Sequence, residues 1–212
     1  MEQRDICYAM EKYRALWRAK YDAVFEPDKV EIGDYTYGMP VVLSWGEKNA
    51  KLKIGKFCSI GGNVQIYLGG NHHTDWCTTF PFNALFPEIW GDIDGGVAAT
   101  KGDVIIGNDV WIGNNVAIMS GVRIGDGSAI AAGSVISRNV PAYSVMAGNP
   151  AKQRKIRAEA AMIQELQWWD WPVERIAETA RWLMSGNVFN LKQYWEGMNS
   201  ETFFLCDRPG AQ

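Results

Sequence analysis

Isoleucine occupies Ile106, Ile112, Ile118, Ile124, Ile130 and Ile136, an unbroken period of six, and valine stands two places earlier at Val104, Val110, Val116 and Val122. Gly107, Gly113 and Gly125 follow their isoleucines directly, with Met119 and Ala131 at the equivalent places. An upstream run, Ile54, Ile60 and Ile66, keeps the spacing. An α-helix does not produce this pattern, because six residues advance a side chain by about 600°, a net 240°, and would scatter the isoleucines around the axis. A single strand of more than about thirty residues is excluded on length. The period instead predicts a solenoid in which each six-residue unit is a short strand and a turn, with inward isoleucines stacked from coil to coil.

The phase breaks once. Forty residues separate Ile66 from Ile106, which is not a multiple of six. The excursion from Gly69 to Gly102 holds "GGNHHTDWCTTFPF", "TTFPFNALFPEIW" and "GDIDGG", and it carries both histidines of the chain, His72 and His73. A long departure from a regular scaffold is where binding and catalysis concentrate. Neighbours in an extended segment point to opposite sides, so the two histidines are not expected to share one job. The division that follows is an N-terminal, helical segment (1–29), a solenoid (30–150, with the excursion at 69–102) and a C-terminal helical region (151–212). Helices are predicted over Glu11–Ala23, Ala158–Gln167, Pro172–Met184 and Asn190–Trp195. The C-terminal helices are expected to cap the open end of the solenoid. Trp168, Trp169, Trp171, Trp182 and Trp195 read as core and interface anchors.

Composition narrows the function. The 212 residues suit one domain with appendages. A net charge of -3 provides no positive field for nucleic acid. No apolar run approaches the roughly 18 residues of a membrane span, and "MEQRDICYAM" lacks the apolar centre of a signal peptide. Cys7, Cys58, Cys77 and Cys206 are scattered without metal-ligand spacing, which predicts reduced thiols in a cytoplasmic protein. Two adjacent histidines cannot supply the three that a solenoidal zinc carbonic anhydrase needs, so no metal is expected. No G-x-S-x-G elbow is present, and there is no room for a nucleotide-binding α/β domain.

Four stretches, "LKIGKFCSIGGNV", "GNHHTDWCTTFPF", "VIIGNDVWIG" and "GNPAK" with "WWDWP", resemble the xenobiotic acetyltransferases, the hexapeptide-repeat family of type B chloramphenicol and streptogramin acetyltransferases. The likeness extends over roughly residues 30 to 198. It implies an all-β core, a left-handed parallel β-helix with three units per coil, a hand that periodicity alone does not give. It also implies acetyl-CoA as donor and a homotrimer with active sites between subunits. The resemblance makes His72 the general base that takes the proton of an acceptor hydroxyl as it attacks the thioester, a task suited to neutral imidazole. Asp75 or a backbone carbonyl would fix its tautomer. His73, where relatives often carry arginine, reads as a surface or interface residue.

By the same resemblance Ala131, Ala132 and Gly133, followed by Ser137 and Arg138, line the pantetheine groove, and Lys152, Lys155 and Arg157 meet the CoA phosphates. The alternative for this basic run is a solvated helix start. Tyr35 and Tyr37 match an aromatic pair that shapes the acceptor pocket, though they serve equally as coil packing. The segment "MPVVLSWGEKNA" is shorter than in the antibiotic-modifying relatives, which points toward a saccharide acceptor. The expected reaction is acetyl-CoA-dependent O-acetylation of an antibiotic or saccharide hydroxyl. N-acetylation of an amino sugar and a catalytically inactive scaffold are the alternatives.

Overall fold

The computed structural model describes residues 3–45, 50–91, 99–186 and 188–206. Two compact units are present: residues 13–157 form one, and residues 1–12 with 158–212 form the other. Among the described residues no helix is long and apolar enough to cross a membrane.

The larger unit is the solenoid. Its strands are β1 (Val30–Ile32), β2 (Val41–Leu43), β3 (Leu52–Ile54), β4 (Ser59–Ile60), β5 (Gln65–Tyr67), β6 (Val104–Ile106), β7 (Trp111–Ile112), β8 (Ala117–Ile118), β9 (Arg123–Ile124), β10 (Ala129–Ile130), β11 (Val135–Ile136), β12 (Ser144–Ala147) and β13 (Lys152–Ile156). They form three faces, ordered β1-β3-β6-β9, β4-β7-β10-β12-β13 and β2-β5-β8-β11. Successive coils pair in parallel and in register, Ile54 on Ile106, Ile60 on Ile112 and Ile66 on Ile118. The result is a left-handed parallel β-helix. Its inward isoleucines are buried from Ile32 to Ile136, with Val64, Val104, Val110, Val116 and Val122 between them.

The period of six is also written at the corners. The third residue after most of the inward isoleucines adopts positive φ: Tyr35, Phe57, Asn63, Asp109, Asn115, Gly121, Gly127 and Gly133. Asn, Asp and Gly tolerate this left-handed conformation best, which accounts for their recurrence in the turns.

Helix α1 (Gln3–Asp22) is longer than the predicted Glu11–Ala23. No glycine or proline interrupts the chain before Pro27, so nothing stops the helix toward its start. Its second half lies in the solenoid unit and covers the first coil. Trp17 and Phe25 pack on the core, and the Tyr21 hydroxyl donates to the carbonyls of Thr36 and Gly38 at 3.1 and 3.0 Å.

The far end differs from the expected helix start. Residues 152–156 form β13, antiparallel to β12, and the solenoid unit continues to Arg157 rather than ending at 150. The run "KQRKI" is exposed throughout and carries no alternating pattern of its own; the open edge of β12 supplies the pairing partner.

The smaller unit contains α4 (Ala160–Leu166), a single 3-10 turn (Trp168–Asp170), α5 (Val173–Leu183) and α6 (Val188–Cys206). The last is much longer than the predicted Asn190–Trp195, since the helix runs through Gly197 at a cost of only about 1 kcal/mol. Trp169, Ile176, Ala177 and Leu191 are buried, the Trp171 indole N–H donates to the Leu166 carbonyl, and the Tyr194 hydroxyl donates to Glu178. Trp168, Trp171, Trp182 and Trp195 are half-buried.

Between β5 and β6 runs the excursion, with the short helices α2 (Phe82–Leu85) and α3 (Pro87–Trp90). Most of "GDIDGG", and residues 46–49 of the shortened wall segment, lie outside the described residues.

Candidate active site

The excursion leaves the solenoid through a riveted stem. Asn71 and Ala99 exchange both backbone hydrogen bonds, at 3.0 and 2.8 Å. The Asn71 side-chain amide donates to the Ser120 hydroxyl at 3.1 Å, and the Thr100 hydroxyl donates to the Leu68 carbonyl. Gly70 has φ +82°, and a Cβ there would stand 2.5 Å from the Trp45 indole, so only glycine fits. Trp45 in turn stacks on Tyr67. His72 follows two residues after this closely packed glycine.

The His72 side chain is exposed, and its Nδ1 lies 2.6 Å from the Thr79 carbonyl oxygen. A carbonyl only accepts, so this bond requires the proton on Nδ1 and leaves Nε2 with its lone pair. An imidazole held in that tautomer can receive a proton at Nε2. Asp75 lies against the other histidine. Its carboxylate lies 3.6 Å from His73 Nδ1 and is 81% exposed, while the contact of His72 Nδ1 is with the Thr79 carbonyl. His73 is not a plain surface residue. Its side chain is only 23% exposed and stacks on Trp76, with ring centroids 4.1 Å apart and an interplanar angle of 4°. Sequence reading could not name Thr79, because a backbone carbonyl has no side-chain signature.

The remaining expected residues fall on all three corners of the solenoid. Ser137 and Arg138 follow β11 on the same corner as the excursion stem, both exposed. Ala131, Ala132 and Gly133 turn the corner between β10 and β11, where Gly133 donates its N–H to the Asn114 carbonyl. Tyr35 and Tyr37 lie on the corner between the first and second faces. Tyr35 stacks on Phe57 at 4.6 Å, and Tyr37 is exposed but backed by Trp17 at 6.3 Å. One chain does not bring these corners together.

On β13, Lys152 and Lys155 stand opposite Ala147 and Val145. Residues three apart in a regular strand face opposite ways. Here a register shift leaves Arg154 without an opposite residue, and the bulge turns both lysines to the outer side. Neither ammonium has an ion-pair partner among the described residues, and both side chains are exposed.

Arg157 does not join them. It donates to Asp109 at 3.2 Å and to the Gly127 carbonyl at 2.7 Å, beside the Tyr143 ring. Burial raises the Asp109 carboxyl above its ordinary value and the Arg157 guanidinium partly offsets this. The guanidinium Nη1 is thus engaged at the solenoid corner, whereas Lys152 and Lys155 are not paired there.

Comparison with known proteins agrees with this architecture. The family profile "Bacterial transferase hexapeptide (six repeats)" matches residues 103–138. A chloramphenicol acetyltransferase of Morganella morganii is 41% identical over 68% of this chain and 71% of its own. A probable macrolide acetyltransferase of Lysinibacillus sphaericus is 45% identical over 64% of this chain and 78% of its own. A virginiamycin A acetyltransferase of Staphylococcus aureus is 44% identical over 68% of this chain and 67% of its own. With that identity over most of the solenoid, and with the coil, the excursion and its histidine in place, the chain belongs to the hexapeptide-repeat xenobiotic acetyltransferase family.

Proposed function

We propose that this protein is an acetyl-CoA-dependent O-acetyltransferase whose acceptor is a hydroxyl of a small molecule, either an antibiotic or a saccharide. The observation that carries the reading is the exposed His72, whose Nδ1 is engaged by the Thr79 carbonyl so that Nε2 is the proton acceptor. In the reaction Nε2 takes the acceptor's hydroxyl proton while the oxygen attacks the thioester carbonyl. The tetrahedral oxyanion then collapses, the C–S bond breaks, and the proton on Nε2 passes to the departing CoA thiolate. The acetyl group leaves on the acceptor oxygen, and His72 returns to its starting tautomer.

Lys152 and Lys155, both turned outward by the bulge in β13, are the cations proposed to meet the CoA phosphates. Ala131, Ala132, Gly133, Ser137 and Arg138 are proposed for the pantetheine arm, and Tyr35 and Tyr37 for the acceptor. Their distribution over three corners supports an active site assembled between subunits of a homotrimer, with the exposed Phe80, Phe82, Phe86 and Trp90 of the excursion reaching a neighbouring copy. A cytoplasmic location suits the acetyl-CoA supply. No metal takes part in the scheme, and among the described residues no group of three His, Cys, Asp or Glu is placed to hold one.

The test is release of free CoA thiol from acetyl-CoA in the presence of chloramphenicol, virginiamycin A, a macrolide, maltose or an amino sugar, with and without chelator. Turnover with one hydroxyl acceptor, unchanged by chelator, is expected. An amine-only profile would convert the reading to N-acetylation, and no turnover with any acceptor and no acetyl-CoA binding would leave a scaffold.

A further inference from the structure

The general-base reading leaves His73, Asp75 and Trp76 without a role, although their contacts lie inside the turn that presents His72. Residues 71–79 depart from the stem and return so that the Thr79 carbonyl meets His72 Nδ1. That bond spans seven residues of chain in an exposed loop, and nothing in the β-ladder enforces it. Its persistence depends on what holds the intervening residues in their bend. The His73–Trp76 stack is the tightest ring contact there, its planes nearly parallel and its centroids 4.1 Å apart.

We propose that His73 is a positioning residue for the transfer reaction, acting through its stack on Trp76 to brace the 71–79 turn and keep the Thr79 carbonyl on His72. The proposal rests on the reading of His72 as general base. Magnitudes decide that the ring, not its charge, does the bracing. Asp75 stands 3.6 Å from His73 Nδ1 and is 81% exposed, and a solvent-screened pair of that kind contributes little. A face-to-face stack of two flat rings adds to the area it covers, and His73 Nε2 is itself buried without a hydrogen-bond partner among the described residues. A ring that leaves a nitrogen unpaired is held there by its faces. The side chain therefore faces its own loop, against Trp76 and Asp75.

The chain has only two histidines, which makes the brace directly observable. Two-bond nitrogen–proton correlation on protein labelled with 15N-histidine, at a pH where the imidazoles are neutral, reports the tautomer of each ring. Wild type should show His72 protonated on Nδ1. His73→Ala and Trp76→Ala should lose that preference and lower kcat by roughly 10- to 100-fold, the usual penalty for a displaced catalytic group, with KM for acetyl-CoA and the melting temperature unchanged. His73→Phe, which restores a flat ring without nitrogen, should recover both the tautomer and kcat. The proposal is overturned if Trp76→Ala keeps the wild-type tautomer, or if His73→Phe is as impaired as His73→Ala. Tautomer loss with an unaltered kcat would sustain the brace and overturn the general-base reading beneath it.

Discussion

The solenoid and its excursion answer the same problem, how to hold a short segment of chain, in opposite ways. Around Ile118 every backbone group pairs with the coil above or below, and the side chain is fully buried. Around His72 no backbone–backbone hydrogen bond beyond the Asn71–Ala99 bridge forms among the described residues, and order there comes from side chains and one carbonyl. The excursion's aromatics meet each other edge-to-face, Phe80 on Phe82, Phe82 on Trp90 and Phe86 on Trp90, yet remain between 39% and 49% exposed. A repeat buries itself, whereas a loop of this kind buries only what it can fold against. Stability and chemistry are thereby separated along the chain, and substitutions should separate them too.

The sharpest break is a crossed pair. His72→Ala removes the proposed proton acceptor and should lower kcat by roughly 10²- to 10⁴-fold, with an unchanged melting temperature because the side chain is exposed. Ile118→Ala leaves a cavity in the stacked core and should lower stability by about 2–5 kcal/mol, while the enzyme that remains folded keeps its kcat. Denaturant titration and steady-state kinetics on both variants decide the matter. A His72→Ala protein that unfolds early, or an Ile118→Ala protein that is stable but inactive, would erase the distinction between the regions.

The same contrast governs what the sequence discloses. Ile106 through Ile136 announce the coil because each isoleucine meets its own equivalent one turn later, so spatial neighbours share one sequence rule. The positive-φ residues repeat for the same reason, and Asn115 or Gly121 can be placed by counting from the nearest isoleucine. The excursion obeys no period. His72 is singled out by its motif, but Thr79 contributes a carbonyl that every residue possesses, and Asp75, three residues after His72, lies against His73 instead. Arg157 shows a related limit of the linear sequence. Its Asp109 partner is 48 positions away, and a basic run gives no sign of which cation is already paired. The strand at 152–156 was hidden because the unpaired edge of β12, not local propensity, selects it.

A smaller effect is expected on the outer side of β13. If the bulge presents Lys152 and Lys155 together to CoA, the double change to alanine should weaken CoA binding by about 10-fold at low salt. The deficit should shrink as salt rises, because exposed charges are screened within a Debye length of about 10 Å at 0.1 M. Arg157→Lys is the control: the pair with Asp109 should weaken and stability fall, with CoA affinity maintained. Calorimetric titration with CoA at two ionic strengths separates the outcomes. Equal affinity of the double variant and wild type at low salt would reduce the lysines to a solvated edge.

The smallest effect compares a thiol of the coil with one of the loop. Cys58 is fully buried, and its Sγ–H donates to the Gly107 carbonyl at 3.1 Å. Burial pushes the thiol up to about 12 from an ordinary value of 9.0. The folded state therefore holds this proton after the unfolded chain has begun to release it, so the unfolded state binds fewer protons above pH 9.0. Stability from this group is complete below that value and is lost as pH rises toward about 12. The slope approaches about 1.4 kcal/mol per pH unit once the unfolded thiol is ionised. Tyr21 and Tyr143, also raised by burial, add to the loss only above their ordinary value of 10.0, so the interval between 9 and 10 isolates Cys58. Cys58→Ser keeps a donor for Gly107 and should flatten the stability profile across that interval. Cys77→Ser, in the exposed part of the excursion, should leave the profile as steep as in wild type. Denaturant midpoints measured in steps from pH 8 to 10 distinguish them, and an equal slope in wild type and Cys58→Ser would show that the coil does not hold its thiol dry.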